Sequence, residues 1–68
     1  MGKEELGKLL NRRRNVLGLS IRDLSELTSM SKTTISQIER GEGNPTFDAL
    51  QKILAYLNME IKVEVKGV

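Results

Sequence analysis

The sequence between residues 31 and 46 reads SKTTISQIERGEGNPT and contains the boundary signals of two helices. Ser31 and Thr46 are residue types that cap helix N-termini, because their hydroxyl groups accept hydrogen bonds from otherwise unpaired backbone N–H groups. Gly41 is the type that ends a helix in a left-handed conformation. The stretch therefore predicts a short helix over residues 32–40, a loop, and a further helix that begins after Thr46.

The helix predicted over residues 32–40 has two unlike faces. Ile35 and Ile38 lie on the inward face, with Glu39 beside them. The outward face offers hydroxyl groups, an amide and two cations, and it consists of Lys32, Thr33, Ser36, Gln37 and Arg40, with Thr34 at its edge. Such groups pair with base edges and phosphates in the DNA major groove. A solvated helix face has a similar composition, so the place of this helix in the fold decides between the two interpretations.

Another short helix precedes this one, with a spacing typical of a helix-turn-helix. Ser20 is a suitable N-cap, Asp23 complements the helix dipole, and Leu24 and Leu27 supply an inward face. The pattern fades three or four residues before Lys32, and a gap of that length produces a tight turn between two helices. In a helix-turn-helix the second helix enters the major groove, which favours the DNA-binding interpretation of its outward face.

Two further helices are predicted, one on each side of this pair. The first covers residues 3–17 and ends at Gly18. Its inward side is formed by Leu6, Leu10 and Leu17. The fourth covers residues 47–57, and its inward side is formed by Leu50, Ile53, Leu54 and Leu57. The predicted fold is therefore mainly α, with four helices.

After Asn58 the spacing of apolar residues changes from helical to alternating. The apolar side is formed by Met59, Ile61, Val63 and Val65, which alternate with charged residues. This pattern predicts a half-buried β-strand, and a single strand leaves its backbone N–H and C=O groups without partners. We therefore expect the strand to pair with its copy across a homodimer. The chain then divides into a helix-turn-helix domain over residues 1–58 and a dimerisation strand and tail over residues 59–68.

The composition argues against several classes of function. The 68 residues include no cysteine and no histidine, which excludes disulfides, thiolate metal sites and the commonest general base. A core this small rarely encloses a pocket that suits catalysis, so we expect no enzyme activity, no catalytic residue, no metal site, no cofactor and no small-molecule ligand. No apolar run is long enough for a membrane span or a signal peptide, so we expect no membrane partner and a cytoplasmic location.

The net charge of +2 is small, but its distribution is uneven. Residues 1–14 contain five cationic side chains and two carboxylates, whereas the rest of the chain carries no net positive charge. By itself this basic end favours a nucleic-acid partner only slightly, since helices often carry such charges on solvated faces.

Residues 31–41, followed by Asn44-Pro45-Thr46, resemble the signature of Xre-type regulators, which are lambda-repressor-like helix-turn-helix proteins. The resemblance extends over about residues 6–58 and includes Leu6-Gly7, Leu10, Arg14, Gly18-Leu19-Ser20 and Leu24. It implies a four-helix domain that binds double-stranded DNA, as a dimer, on a pseudo-palindromic operator.

The resemblance also implies which residues touch DNA. Those expected at base edges are Lys32, Thr33, Thr34 and Gln37. Those expected near phosphates are Ser20, Arg40, Asn44 and Thr46. Lys32 and Gln37 are the better base readers, because lysine pairs with guanine and glutamine with adenine.

One ion pair is expected inside the domain. Arg14 lies on the apolar side of the first helix, and Glu39 lies on the apolar side of the third. A guanidinium that faces a core needs a partner, and the family pairs these two positions. We therefore predict a largely buried ion pair that joins the two helices.

The sequence departs from the family pattern at several positions. Ile21 stands where many members have glutamine, and Ser29 and Asn58 stand where members have glycine, which predicts positive φ angles at both. The alternating segment replaces the usual fifth helix. A fourth helix that leads directly into a strand resembles the HipB-like antitoxins, in which paired strands form a dimer that represses its operon and binds a toxin kinase.

The main interpretation is therefore a sequence-specific transcriptional regulator, and we expect it to act as a repressor. An alternative is an antitoxin that represses its own operon and also binds a toxin protein. A third interpretation, from another class, is a helical adaptor without a DNA-binding role.

Overall fold

A computed structural model describes residues 1–67 and contains four helices: α1 (Lys3–Val16), α2 (Ile21–Thr28), α3 (Lys32–Glu39) and α4 (Phe47–Tyr56). Three of them end one residue before the boundary expected from the sequence, and α2 ends where its pattern fades. Val68, the last residue of the predicted tail, lies outside the described residues. None of the helices in residues 1–67 is both long and apolar enough to cross a bilayer.

Side-chain caps begin three of the helices, as the sequence predicts. The hydroxyl group of Ser20 accepts a hydrogen bond from the backbone N–H of Asp23 at 2.9 Å, at the start of α2. Equivalent bonds begin α3, at Ser31, and α4, at Thr46, with distances of 3.1 and 3.0 Å. Each cap satisfies one of the backbone donors that a helix N-terminus leaves unpaired.

The turn between α2 and α3 contains a left-handed residue and is held by side-chain hydrogen bonds. Ser29 has a φ of 60°, which confirms the positive φ expected from the sequence. Thr28 is fully buried, and its hydroxyl donates to the Leu24 carbonyl at 2.7 Å and accepts from the Met30 N–H at 3.3 Å. The Ser25 hydroxyl donates to the Met30 carbonyl at 2.6 Å. These bonds hold Ser29 in a conformation that residues with a side chain rarely adopt.

The core is aliphatic and lies between the four helices. It consists of Leu10, Leu24, Ile35, Ile38, Ile53, Leu54 and Leu57. Two leucines that the sequence predicts in the core, Leu17 and Leu27, are instead 40% and 43% exposed. Leu17 is exposed because it follows the last residue of α1, where the chain turns at Gly18. Leu27 is exposed because α2 buries the side that carries Leu24 and Thr28, and Leu27 lies at the edge of that side.

Helices α1 and α3 approach each other closely at Gly7. A Cβ atom added to Gly7 would lie only 2.6 Å from the carbonyl oxygen of Ile38, a separation that real Cβ atoms essentially never show. Gly41, which ends α3 with a φ of 75°, is equally close to the backbone of Glu4. Both glycines therefore allow backbone-to-backbone contact that any side chain would prevent.

The predicted ion pair between Arg14 and Glu39 is present and joins the same two helices. Nε of Arg14 lies 2.7 Å from Oε2 of Glu39, Nη2 lies 3.0 Å from Oε1, and the two side chains are 10% and 7% exposed. Nη1 of Arg14 donates to the Leu19 carbonyl at 2.9 Å, and Asn11 donates to Oε1 of Glu39 at 2.8 Å. The hydrogen bond to Glu39 raises the pKa of Arg14, against the opposing effect of burial. The pair is thus bidentate and has further partners on both sides, the arrangement a buried charge needs.

The C-terminal segment differs from its prediction. Residues 59–67 form no β-strand, and Val63 and Val65 are 93% and 85% exposed. Only Met59 of the predicted apolar side packs against the core. A strand needs the backbone groups of a neighbouring strand, and a single chain offers this segment none.

Replacing Arg14 by Met should lower the free energy of unfolding by about 3 kcal/mol, because it leaves Glu39 buried without a cation. The double variant R14M/E39L, which is apolar at both positions, should recover most of that loss. Urea unfolding followed by circular dichroism measures both values.

The matched control is Arg22→Met, which breaks the exposed pair of Arg22 with Glu26 at 3.4 Å and should change stability by less than about 0.5 kcal/mol. A double variant no more stable than R14M would show that the loss comes from packing and not from a stranded charge.

Candidate nucleic-acid interface

The outward face of α3 lies between two open grooves. The groove on the α2 side, of about 400 Å³, is lined by Ile21, Lys32, Thr33, Ser36 and Arg40. The groove on the α4 side, of about 300 Å³, is lined by the polar residues Thr34, Gln37, Glu42, Asn44 and Thr46 and by apolar ones, among them Ile38, Pro45 and Ala49. Seven of the eight residues that the sequence assigns to DNA contact therefore lie around α3, and Ser20 is the one that lines neither groove.

Lys32, Thr33 and Gln37 are exposed on this face. Thr34 is exposed as well, and its hydroxyl accepts a hydrogen bond from the Ser31 hydroxyl at 2.8 Å. That bond leaves the Thr34 O–H group able to donate to a ligand. A cation, two hydroxyls and an amide thus stand side by side, where a base edge in a major groove could meet them.

Arg40 follows the last residue of α3 and is engaged by neighbouring side chains. Its Nη1 donates to the Ser36 hydroxyl at 2.6 Å, and its Nε and Nη2 each donate to the Glu42 carboxylate at 3.2 Å. The guanidinium therefore lies beside the α2-side groove and is paired with groups of its own chain.

The loop before α4 is tied to the start of α1 by Lys3. Its ammonium group donates to the Gly43 carbonyl at 2.7 Å and to Oδ1 of Asn44 at 2.5 Å. Because Asn44 accepts with its oxygen, its NH₂ group is the part available to donate to a phosphate oxygen. Lys3 therefore adds positive charge next to Asn44, one of the predicted phosphate contacts.

Ser20 lies at the start of α2 and is part of a reciprocal cap. Its backbone N–H donates to Oδ2 of Asp23 at 2.8 Å, while its hydroxyl accepts from the Asp23 N–H. The hydrogen bond from the Ser20 backbone lowers the pKa of Asp23 below its ordinary value. The next residue, Ile21, is partly buried against the core, so the apolar side chain that replaces the family's glutamine is only partly exposed.

Sequence reasoning misses Lys3 and Glu42 as parts of this face. Lys3 comes close to Asn44 only through the packing of α1 against the end of α3, and no local pattern signals a contact between residues 41 positions apart. Glu42 could have been recognised from the sequence, because an acidic residue two positions after Arg40 can pair with it. Within residues 1–67, no group of three or more acidic side chains is placed to hold a metal ion.

Comparisons with known proteins agree with this geometry. The chain matches the helix-turn-helix family HTH_3 over residues 4–63. It is 34% identical, over 62 residues, to inferred HTH-type transcriptional regulatory proteins of Methanococcus maripaludis and Methanococcus vannielii. The match covers 91% of this chain and 18% of those relatives, so the chain spans about a fifth of their length.

Solved structures show the same fold. The restriction-modification controller protein C.AhdI from Aeromonas hydrophila superposes with a TM-score of 0.79 at 26% identity, over 84% of this chain and 86% of that one. An HTH_3 family transcriptional regulator from Vibrio cholerae superposes with a TM-score of 0.77 at 38% identity, over 85% of this chain and 33% of that one. The sequence signature, the four-helix fold and these relatives lead to one conclusion: the chain belongs to the helix-turn-helix family HTH_3.

Proposed function

We propose that this protein is a sequence-specific repressor that binds a pseudo-palindromic operator as a dimer, with α3 as its recognition helix. The observation that carries the proposal is the outward side of α3, where seven of the eight predicted contact residues line two grooves on either side of this helix. This arrangement offers base-reading groups at the centre and phosphate-binding groups at the edges. Binding to chromosomal DNA also fits the cytoplasmic location expected from the sequence.

The residues take distinct roles in this proposal. The amide of Gln37 reads adenine, and the ammonium group of Lys32 reads guanine, both in the major groove. The hydroxyl groups of Thr33 and Thr34 complete the base-edge contacts. The phosphate contacts are those of Ser20, Arg40, Asn44 and Thr46, which fix the position of α3 on the duplex.

Replacing Gln37 by Ala should weaken binding to the preferred sequence by about 1–3 kcal/mol and relax the preference at one base pair of each half-site. The preferred sequence is first selected from a random duplex library, and affinities are then measured by fluorescence anisotropy. Gln51→Ala, at an exposed glutamine of α4, is the matched control and should leave both values unchanged. An unchanged ratio of specific to non-specific affinity in Q37A would remove Gln37 from the reading face.

Replacing Arg40 by Ala should have a different signature. Because a phosphate contact carries no sequence information, all duplexes should lose affinity alike, and log K should depend less steeply on log salt. The same titrations measure both effects. A loss confined to the preferred sequence would instead assign Arg40 to base reading.

We further propose that residues 59–66 pair with their copies in a second subunit, antiparallel about a two-fold axis. If Val63 lies opposite its own copy, then Ile61 meets Val65, Lys62 meets Glu64 and Glu60 meets Lys66, so every charged pair is opposite in sign. A groove of about 390 Å³ supports this, because it is lined mainly by apolar residues of α1, α4 and the C-terminal segment, among them Leu6, Leu9, Leu54, Met59 and Ile61. It is large enough to receive apolar side chains of a partner strand.

Deleting residues 59–68 should weaken the dimer and reduce affinity for a two-half-site duplex, because the two copies of α3 are no longer held about one DNA turn apart. Sedimentation velocity measures the first effect and anisotropy the second. Val63→Lys should act in the same direction, since it places two cations opposite each other at the axis. Val16→Lys, at an exposed valine of α1, is the control. A dimer that survives both the deletion and V63K would exclude this segment as the interface.

The antitoxin alternative adds a toxin protein as a second partner. It is supported by the same C-terminal segment and by the resemblance to HipB-like proteins. Co-expression with the product of the neighbouring gene, followed by purification of a complex, tests it. Repression of the operon without any such complex would exclude the antitoxin alternative and support the transcriptional regulator.

A further inference from the structure

Glu42 places a carboxylate within a face that is otherwise neutral or basic. Among the described residues that line the α4-side groove, it is the one with an acidic side chain, and it shares that groove with Gln37 and Asn44. Yet it also reaches Arg40, at the other groove, through two hydrogen bonds of 3.2 Å. Its carboxylate therefore stands next to the predicted phosphate contacts of both grooves.

Arg40 binds the carboxylate of Glu42 with the same pair of donors that it would use to bind a phosphate. A guanidinium that donates from Nε and Nη2 to two oxygens of one carboxylate presents the same two parallel bonds to a phosphate. Nη1 of Arg40 donates to the Ser36 hydroxyl at 2.6 Å, so Glu42 and Ser36 together take three of the five N–H donors of the guanidinium. A phosphate can reach the Nε and Nη2 edge only by displacing Glu42, and on the Nη1 and Nη2 edge it would lie beside the negative charge of Glu42.

Solvent exposure makes this exchange feasible. The side chains of Arg40 and Glu42 are 55% and 56% exposed, so their pairing contributes little to folding and can open without disturbing the core. The buried pair of Arg14 and Glu39 differs in this respect, since its side chains are 10% and 7% exposed. The buried pair thus suits the joining of two helices, and the exposed pair suits exchange with a ligand from solvent.

We propose that Glu42 is an internal competitor for the phosphate that Arg40 binds, and that it lowers the affinity of the protein for DNA of any sequence. The proposal rests on the DNA-binding function proposed above and adds to it a residue that sets the sequence-independent part of the affinity. With that part reduced, the base contacts of Gln37 and Lys32 account for a larger share of binding.

The test replaces Glu42 by Gln, which keeps the size of the side chain and removes its charge. Binding is measured by anisotropy with a labelled random-sequence duplex of about 20 base pairs and with the selected duplex, across a range of salt concentrations. E42Q should bind both duplexes about five- to tenfold more tightly near 0.1 M salt. Its slope of log K against log salt should be steeper by less than about 0.9, the value of one whole phosphate contact, because Arg40 already engages the phosphate in part in the wild type.

Glu26→Gln is the matched control, because it removes the same charge from an exposed glutamate that also pairs with an arginine. It should change affinity less than twofold, since only the net charge differs. In an R40A background, the gain from E42Q should largely disappear, because no guanidinium remains to be released. Circular dichroism confirms that each variant is folded.

Equal effects of E42Q and E26Q would overturn the proposal, and so would a full gain from E42Q in the R40A background. A gain limited to the selected duplex would also overturn it, since it would make Glu42 a base-reading residue. Wild-type protein without salt-dependent DNA binding would instead refute the DNA-binding function itself and, with it, this proposal. These outcomes therefore distinguish a failure of the Glu42 proposal from a failure of the DNA-binding function.

Discussion

The close approach of α1 and α3 at Gly7 is the constraint on which the other interactions depend. Only without a side chain at this position can the two backbones come within contact distance. That distance lets Arg14 reach Glu39 with two hydrogen bonds, and the pair then fixes the rotation of α3 about its own axis. With Glu39 and Ile35 turned inward, the polar residues of this short helix can only face outward.

Charge placement matters more than total charge in this protein. A net charge of +2 on 68 residues creates only a weak long-range attraction for DNA. Local arrangement compensates for this, because the folded chain brings Lys3 from its N-terminal end to the loop before α4. Helix caps add backbone order at the same places, so the polar groups around α3 are held on rigid elements.

Much of the fold follows from local patterns in the sequence. The caps at Ser20, Ser31 and Thr46 and the glycine after α3 set the helix limits to within about a residue, because capping depends on a few neighbouring atoms. The pair of Arg14 and Glu39 is also predictable, since two charges on apolar helix sides have few other solutions.

Other features depend on packing that a pattern does not contain. Leu17 and Leu27 have the right spacing for the core but lie at the ends and edges of their helices, where neighbouring elements no longer cover them. The contact of Lys3 with Asn44 depends on how α1 crosses α3. The strand expected after Asn58 would need the backbone of another strand, so a single chain cannot display it.

Ser29 shows how an unfavourable conformation can persist in such a small domain. A left-handed residue with a side chain costs roughly 1–2 kcal/mol in the folded state. Glycine would relieve that strain, but it would give the unfolded chain extra freedom worth about 0.4–1 kcal/mol. The strain is the larger of the two effects, so serine carries a net cost of up to about 1 kcal/mol at this turn. The surrounding hydrogen bonds of Thr28 and Ser25 hold the residue there in spite of that cost, and the turn is therefore a place where a single glycine could make the domain more stable.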